Sequence, residues 1–332
     1  QLGDGNAGGN ITVPNSTALG TQFTRVKIIS AGLQHSAMIS TQKLLYTWGA
    51  NGAGQLGNGT NNSTGTPTPV NTDLDWVQVS GKGFHTMAIK DNGTLWATGN
   101  NTYGQLGLGD TSDRNTFTQV GTDEDWLTVS AGRNHTLALK TDGTLWAWGG
   151  NYITNGNVSG REGILGIGND VQQYYDTPQQ VGTNNHWKSI SAGGYHSAAV
   201  KDDGSLYLWG RNDDGQLGID NQDSKSSPTL VSTTYVSGNY ELDIGQWKDV
   251  SCGETHTAAV KFNGSAWSWG DNSNRQLGQP STINTNRIEF PHLMEPNAGD
   301  SFKHKASVKM ISAGFRHTAF VTSGSAPEYY VT

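Results

Sequence analysis

Histidine is the side chain best placed to do chemistry in this sequence, and it recurs with a period. His35, His85, His135, His196, His256 and His317 follow the entries SAGLQH, SGKGFH, SAGRNH, SAGGYH, SCGETH and SAGFRH, at intervals of 50, 50, 61, 60 and 61 residues. An imidazole can ligate a metal or move a proton near neutral pH. Ligation needs several such groups converging on one ion, whereas equivalent positions of successive repeats are held apart. A histidine that always follows a tight turn of small residues is expected to be structural, hydrogen-bonding its loop to a neighbouring strand. No metal and no cofactor are expected.

The other reactive groups read the same way. Asp73 with Asp75 and Asp123 with Asp125 each sit two apart ahead of a strand-opening tryptophan. Because the arrangement repeats, it belongs to a turn and not to a catalytic dyad. Asn212-Asp213-Asp214-Gly215 looks like part of a calcium loop but lacks the later acidic ligands. Cys252 is the single cysteine, which excludes an intrachain disulfide and any CxxC metal site. No GxSxG elbow or other nucleophile signature is present, so no catalytic residue is assigned and no enzyme is expected. The 11 tryptophans could stack on sugars, but Trp76, Trp126, Trp187 and Trp247 open strands while Trp96, Trp146 and Trp267 lie inside them. Core packing between repeats is the expected role.

The elements that position these residues are clearest at 129–151, VSAGRNHTLALKTDGTLWAWGGN. Two alternating runs, His135 to Lys140 and Thr144 to Gly149, flank Asp142-Gly143, a hairpin signal of the type I′ class. A strand precedes each histidine, and a Gln-Leu-Gly corner follows the aromatic third strand, for example at Gln105-Leu106-Gly107. Units of this period with about four short strands mark an all-β propeller of four-stranded antiparallel blades. Six blades are counted, or seven if a repeat is missing upstream.

A sixth corner, Gln1-Leu2-Gly3, opens the chain, while the last repeat lacks one. Residues 1–25 are therefore expected to complete the last blade with 306–332, closing a ring within one domain of 1–332 and leaving no open sheet edge. The start at Gln1 inside a repeat reads as a processed chain or part of a longer product. Three polar, turn-rich insertions, 151–162, 233–246 and 280–305, are expected as surface loops.

Composition narrows the function. Glycine numbers 45, charged residues make up only 15%, and the net charge is -7 with no Lys/Arg run. A nucleic-acid partner or an anionic membrane needs a basic footprint that is missing here. No stretch approaches the roughly 20 apolar residues of a membrane-spanning helix.

The recurring pattern SAGxxHTLALK…DGTLWxWGxNxxGQLG resembles the repeat of the regulator of chromosome condensation family, and it covers essentially the whole chain. The resemblance implies a propeller, usually of seven blades. The functions it implies diverge: exchange factor for the small GTPase Ran with nucleosome docking, ultraviolet-B sensing in a plant member, and inhibition of β-lactamases by a secreted bacterial member. Similar repeats also occur in bacterial surface proteins and phage structural genes. The light-sensing motif needs tryptophan where this chain has Leu33, Gly83, Arg133, Gly194, Glu254 and Phe315.

Two positions in each SAGxxH loop vary inside a repeating frame: Leu33-Gln34, Gly83-Phe84, Arg133-Asn134, Gly194-Tyr195, Glu254-Thr255 and Phe315-Arg316. Equivalent propeller loops share a face, and a mixture of Phe, Tyr and Arg there resembles an interface. The expected interaction residues are Phe84, Arg133, Asn134, Tyr195, Glu254, Phe315 and Arg316. The reading is a non-enzymatic protein-interaction or structural propeller on an extracellular or virion surface, bound to a protein such as another surface-assembly subunit. A secreted enzyme inhibitor and a glycan-binding surface protein are the alternatives.

Overall fold

The structure, a computed structural model, describes residues 26–151, 163–168, 173–231, 234–237, 240–243, 246–279, 285–294, 307–323 and 329–331. Among these residues there is no helix, and the strands form successive antiparallel meanders. Five four-stranded sheets span 26–69, 76–119, 126–180, 187–230 and 247–293, and a three-stranded sheet follows within 307–331. Five of these are propeller blades of the expected four-stranded kind, and the sixth has three strands among the described residues. By packing, the chain divides into two compact units, Gln1–Gly150 with Tyr174–Gln180, and Asn151–Gln173 with Val181–Thr332. Blades 1 to 3 belong to the first and blades 4 to 6 to the second.

Blade 3 shows why the sequence takes this form. Its strands are Trp126–Ala131, His135–Lys140, Leu145–Gly150 and Tyr174–Gln180. The second strand is buried along almost its whole length, so both of its faces carry apolar or hydroxyl side chains. The fourth strand has no fully buried residue and is half-buried to exposed throughout. Fourth strands accordingly tolerate proline, as in Thr64–Pro69 and Lys225–Leu230, because an edge strand can spare a donor. A bulge shifts the register between Leu139 and Lys140 opposite Trp126, and the first strands of the other five blades carry the same irregularity. Such bulges sharpen the local twist.

The core lies between blades. Trp126 and Val129 of blade 3 pack on Met87, Ile89, Leu95 and Leu106 of blade 2. In the second unit Trp247, Val250 and Cys252 pack in the same way on Val200, Leu206 and Leu208. The assignment of the tryptophans to core packing therefore holds. Truncating one of these buried rings would cost about 3–5 kcal/mol.

The hairpin turns differ from the expected type I′ geometry. Gly93 donates to the Lys90 carbonyl at 3.0 Å while Lys90 donates to Thr94 at 3.0 Å, so the turn closes one residue earlier than a two-residue loop would. Only the glycine is left-handed: Gly93, Gly143, Gly204 and Gly264 have φ near +80°, whereas the preceding Asn or Asp does not. This is a type I turn followed by a glycine bulge. Asp142 stays in the right-handed region because its carboxylate accepts from the Thr144 amide at 2.9 Å.

The insertions also depart from simple loops. Within 233–246, Thr234–Ser237 pairs antiparallel with Tyr240–Asp243 as a separate hairpin. Within 280–305, Arg287–Leu293 is the fourth strand of blade 5, which puts His292 on a strand. In both stretches a polar composition masked a regular backbone pattern. Residues 152–162, His304 and the expected closing segment 1–25 lie outside the described residues.

Candidate interaction face

Within each of the two units, neighbouring SAGxxH loops are tied by hydrogen bonds. The Ser80 hydroxyl accepts from the Ala131 amide at 2.9 Å, and Ser30 accepts from Gly81 in the same way. Gly83 donates to the Gly132 carbonyl at 3.0 Å and Leu33 donates to Gly83 at 3.2 Å. Blades 1, 2 and 3 thus carry a continuous track of loops. In the second unit Gly194 donates to Gly253 at 2.9 Å, and Ser191 and Ser251 accept from Cys252 and Ala313. Blades 4, 5 and 6 repeat the arrangement.

The histidines sit beneath these tracks. His35 Nε2 lies 2.8 Å from Thr86 Oγ1 of the next blade, and His85 Nε2 lies 3.1 Å from Thr136 Oγ1. His196 reaches Thr257 and His256 reaches Thr318 at 2.8 and 3.0 Å. Each threonine hydroxyl meanwhile donates to a corner carbonyl of the preceding blade: Thr86 to Gln55, Thr136 to Gln105, Thr257 to Gln216 and Thr318 to Gln276, all at 2.8 Å. A hydroxyl has one proton. It must therefore accept from the imidazole, which fixes the neutral Nε2–H tautomer. The Nδ1 atoms of His35 and His85 are buried without a hydrogen-bond partner, as that tautomer requires.

Burial reinforces the neutral state. It lowers the pKa of His35 to about 4, and those of His85 and His135 to about 3. The His35 ring adds to the effect on His85, and the His85 ring and the Lys82 ammonium add to the effect on His135. The imidazoles of His35, His85, His196 and His256 thus bridge neighbouring blades. His317 is the exception. It is exposed.

The corner carbonyls serve twice. Gln105 O also accepts from Trp148 Nε1 at 3.0 Å, and Gln216 O accepts from Trp269 Nε1 at 2.9 Å. A Cβ on Gly107 would lie 2.7 Å from Trp148 Nε1, so the glycine of Gln-Leu-Gly makes room for the indole. In blade 2 Thr98 replaces that tryptophan, and Phe117 from the fourth strand fills the space beside Gly57.

Sequence reading missed two parts of this frame. Asn51, Asn101, Asn151, Asn212 and Asn272 are buried, and each side-chain oxygen accepts from the leucine amide of its own corner at 2.9–3.3 Å. The available signal was the constant spacing from Asn to Gln-Leu-Gly in four of the five, which an insertion interrupts after Asn151. The aspartate pairs hold lysines: Lys90 Nζ lies 2.7 and 3.1 Å from Asp73 and Asp75, between the rings of Trp76 and Trp96. Lys140 repeats this with Asp123, Asp125, Trp126 and Trp146. No group of three or more His, Cys, Asp or Glu able to hold a metal occurs among the described residues.

Against this rigid frame the variable pairs project differently. Phe84 is 36% and Phe315 37% exposed, and Leu33 is 38% exposed. Arg316 is exposed and stacks on Phe315 at 5.2 Å. Arg133, Asn134 and Tyr195 are half-buried, with Arg211 lying 5.5 Å over the Tyr195 ring. Glu254 is buried, beside Gly194, and offers little surface. The backbone around these positions is already used: the carbonyls of Gln34, Phe84, Asn134, Tyr195 and Thr255 accept from the residues just after the third strands. What remains for a partner is side chains.

Comparison with known proteins bears on this arrangement. A family model described as RCC1-like domain matches residues 1–327. The human probable E3 ubiquitin-protein ligase HERC6 is 32% identical over 169 residues, 49% of this chain and 15% of that protein. A bifunctional serine/threonine-protein kinase/NEDD4-like E3 ubiquitin-protein ligase of Dictyostelium discoideum is 36% identical over 134 residues, 37% of this chain and 7% of that protein. The chain therefore spans only a small part of these relatives. Human WBSCR16 superposes with a TM-score of 0.74 at 22% identity, covering 92% of this chain and 76% of that one. Prp20p of Saccharomyces cerevisiae, described together with its binding to Gsp1p and histones, gives 0.71 at 20% identity, with coverage of 92% and 72%. At such identities the likeness is one of fold.

Proposed function

Because the chain belongs to the RCC1-like domain family, we propose that it is a non-enzymatic protein-interaction module that reads its partner with the paired side chains of the SAGxxH loops. One observation carries this: the loop backbones are engaged in hydrogen bonds within and between blades while the side chains of Phe84, Phe315 and Arg316 stay exposed. A frame that repeats under side chains that vary separates stability from recognition, and aromatic and arginine side chains are the ones that dominate interfaces. The binding of Prp20p to Gsp1p and histones supports a protein partner by analogy. The setting we propose is an extracellular or virion surface, in keeping with a chain of 45 glycines and only 15% charged residues. On the same reading residues 1–25 complete the last blade.

Site-specific photocrosslinking tests the proposal. A photoreactive residue at Phe84 or Phe315 is expected to crosslink the partner in purified particles or secreted fractions. The same probe at Asn92 or Asp142, at the hairpin-turn end, is expected to stay silent. Crosslinks confined to the turn end would contradict the assignment.

A further inference from the structure

One junction between blades departs from the pattern that the others share. The second residue after each corner glycine donates its amide to the fourth strand of the next blade. Gly59 donates to Asn115 O at 2.8 Å, Gly109 to Asp176 O at 2.8 Å and Gly168 to Ser226 O at 2.9 Å. All three are left-handed glycines, and each faces the side chain that follows its acceptor, Thr116, Thr177 or Ser227. Asp220 makes the same bond to Glu289 O at 3.1 Å, and Phe290 follows that acceptor. Asp220 keeps the left-handed backbone at φ 59°, although a side chain there costs energy that glycine avoids. Strain retained where parallel sites use glycine points to a use for the side chain.

Asp220 and Phe290 line a cavity of about 690 Å³ within the second unit, together with Arg287, Ile288, Glu289 and His292. That volume suits a small ligand. Ile288 is buried, and the Phe290 and His292 rings are half-buried with centroids 6.3 Å apart, so one wall is apolar and aromatic. The polar groups are mixed in kind. The Asp220 carboxylate is exposed and has no hydrogen-bond or ion partner among the described residues. Glu289 Oε1 accepts from Gln222 Nε2 at 2.8 Å and pairs with Arg287 Nε at 3.1 Å, which leaves Glu289 Oε2 and the outer guanidinium nitrogens for a ligand. His292 Nδ1 donates to Leu293 O at 3.1 Å, so Nε2 of the neutral ring accepts. A cation would meet the guanidinium, and an anion would meet the two carboxylates. A hydroxyl both donates and accepts, and so satisfies the two kinds of group set side by side. We propose that this cavity binds a neutral saccharide, with one face of the sugar ring on Phe290 and its hydroxyls on Asp220, Arg287 and Glu289. The site lies outside the SAGxxH loops and does not depend on their role.

Saturation-transfer-difference NMR on the full chain tests it, with maltose, cellobiose, lactose and N,N′-diacetylchitobiose as probes. At least one of these is expected to bind, with a Kd in the millimolar range or tighter, whereas tetramethylammonium and sulfate are not. Asp220→Gly and Phe290→Thr restore residues that the other junctions carry, so both variants should fold. Each is expected to weaken saccharide binding about tenfold, the equivalent of one lost hydrogen bond or ring contact. Asp220→Gly should also raise the urea midpoint, because the left-handed strain leaves with the side chain. A purely structural aspartate would lower that midpoint on removal. The proposal is overturned if none of the four saccharides binds, or if tetramethylammonium or sulfate binds in preference to them. Unchanged binding in both variants, or a lowered midpoint in Asp220→Gly, would overturn it equally.

Discussion

His85 Nε2 and Thr136 Oγ1, on neighbouring blades, lie 3.1 Å apart, and the threonine has already committed its proton to Gln105 O. One hydroxyl therefore joins the loop of one blade, the corner of that blade and the second strand of the next. Thr136→Val keeps the shape but leaves the buried His85 N–H without its acceptor. Each buried polar group so stranded costs about 1–3 kcal/mol. We expect Thr136→Val to lose about 2 kcal/mol in urea unfolding, and Thr136→Ser to recover most of it.

The same histidines make stability depend on pH. In the unfolded chain they titrate near 6.5, but in the folded chain His35 does so near 4 and His85 and His135 near 3. Below 6.5 the unfolded state binds protons that the folded state refuses, so stability is full above that pH and falls as the pH drops toward 4. Each group contributes about 1.4 kcal/mol per pH unit in that window. The three together should remove about 4 kcal/mol by pH 5.5. A urea midpoint that is flat from pH 7.5 to 5 would refute the buried neutral assignment.

Two left-handed residues are out of keeping with their repeats. Lys43 has φ 65° where the other turns place Gly93, Gly143, Gly204 and Gly264, and Arg275 has φ 65° where other corners place Gly54, Gly104 and Gly215. A left-handed side chain costs about 1–2 kcal/mol, partly offset by the entropy that glycine adds to the unfolded chain. Lys43→Gly and Arg275→Gly should each stabilise by about 0.5–1 kcal/mol. The exposed Lys43–Asp91 pair lost in the first contributes little against this. Thermal or urea unfolding of the two variants decides the matter.

The Lys90 cage predicts a loss in the opposite direction. Lys90→Met retains the stem between Trp76 and Trp96 but removes the cation from Asp73 and Asp75. A partly desolvated cation–π contact with two carboxylates is worth on the order of 1–2 kcal/mol. The variant should unfold at correspondingly lower urea, and adding Asp73→Asn should cost less than it does in the parent chain, because the pair is coupled.

The fold was legible in the sequence because its repeat unit is local. The Ser-Ala-Gly entry, the Gly after each turn and the Gln-Leu-Gly corner each mark a backbone requirement within a few residues of one another. A hydroxyl residue follows each repeat histidine, so the acceptor that a histidine of the preceding blade meets is also marked locally in the sequence. What stayed hidden depends on side chains from several segments of one repeat meeting in space. The lysine cages need a strand-end lysine, two aspartates and two aromatic rings from three segments. The fourth strand at Arg287–Leu293 was concealed by its polar surroundings. The turn type was misjudged because Asn-Gly and Asp-Gly serve both hairpin classes, and only the Lys90 to Gly93 hydrogen bond separates them. Glu254 was grouped with the exposed loop positions because burial at a variable site leaves no periodic trace.

The most direct test is an affinity scan of the loop end against the turn end, using the crosslinked partner once purified. The account predicts that Phe84→Ala and Phe315→Ala each weaken binding at least tenfold with unfolding midpoints unchanged, while Asn92→Ala and Thr141→Ala leave affinity intact. Unchanged affinity in both phenylalanine variants, with loss on substitution at the turn end, would contradict it.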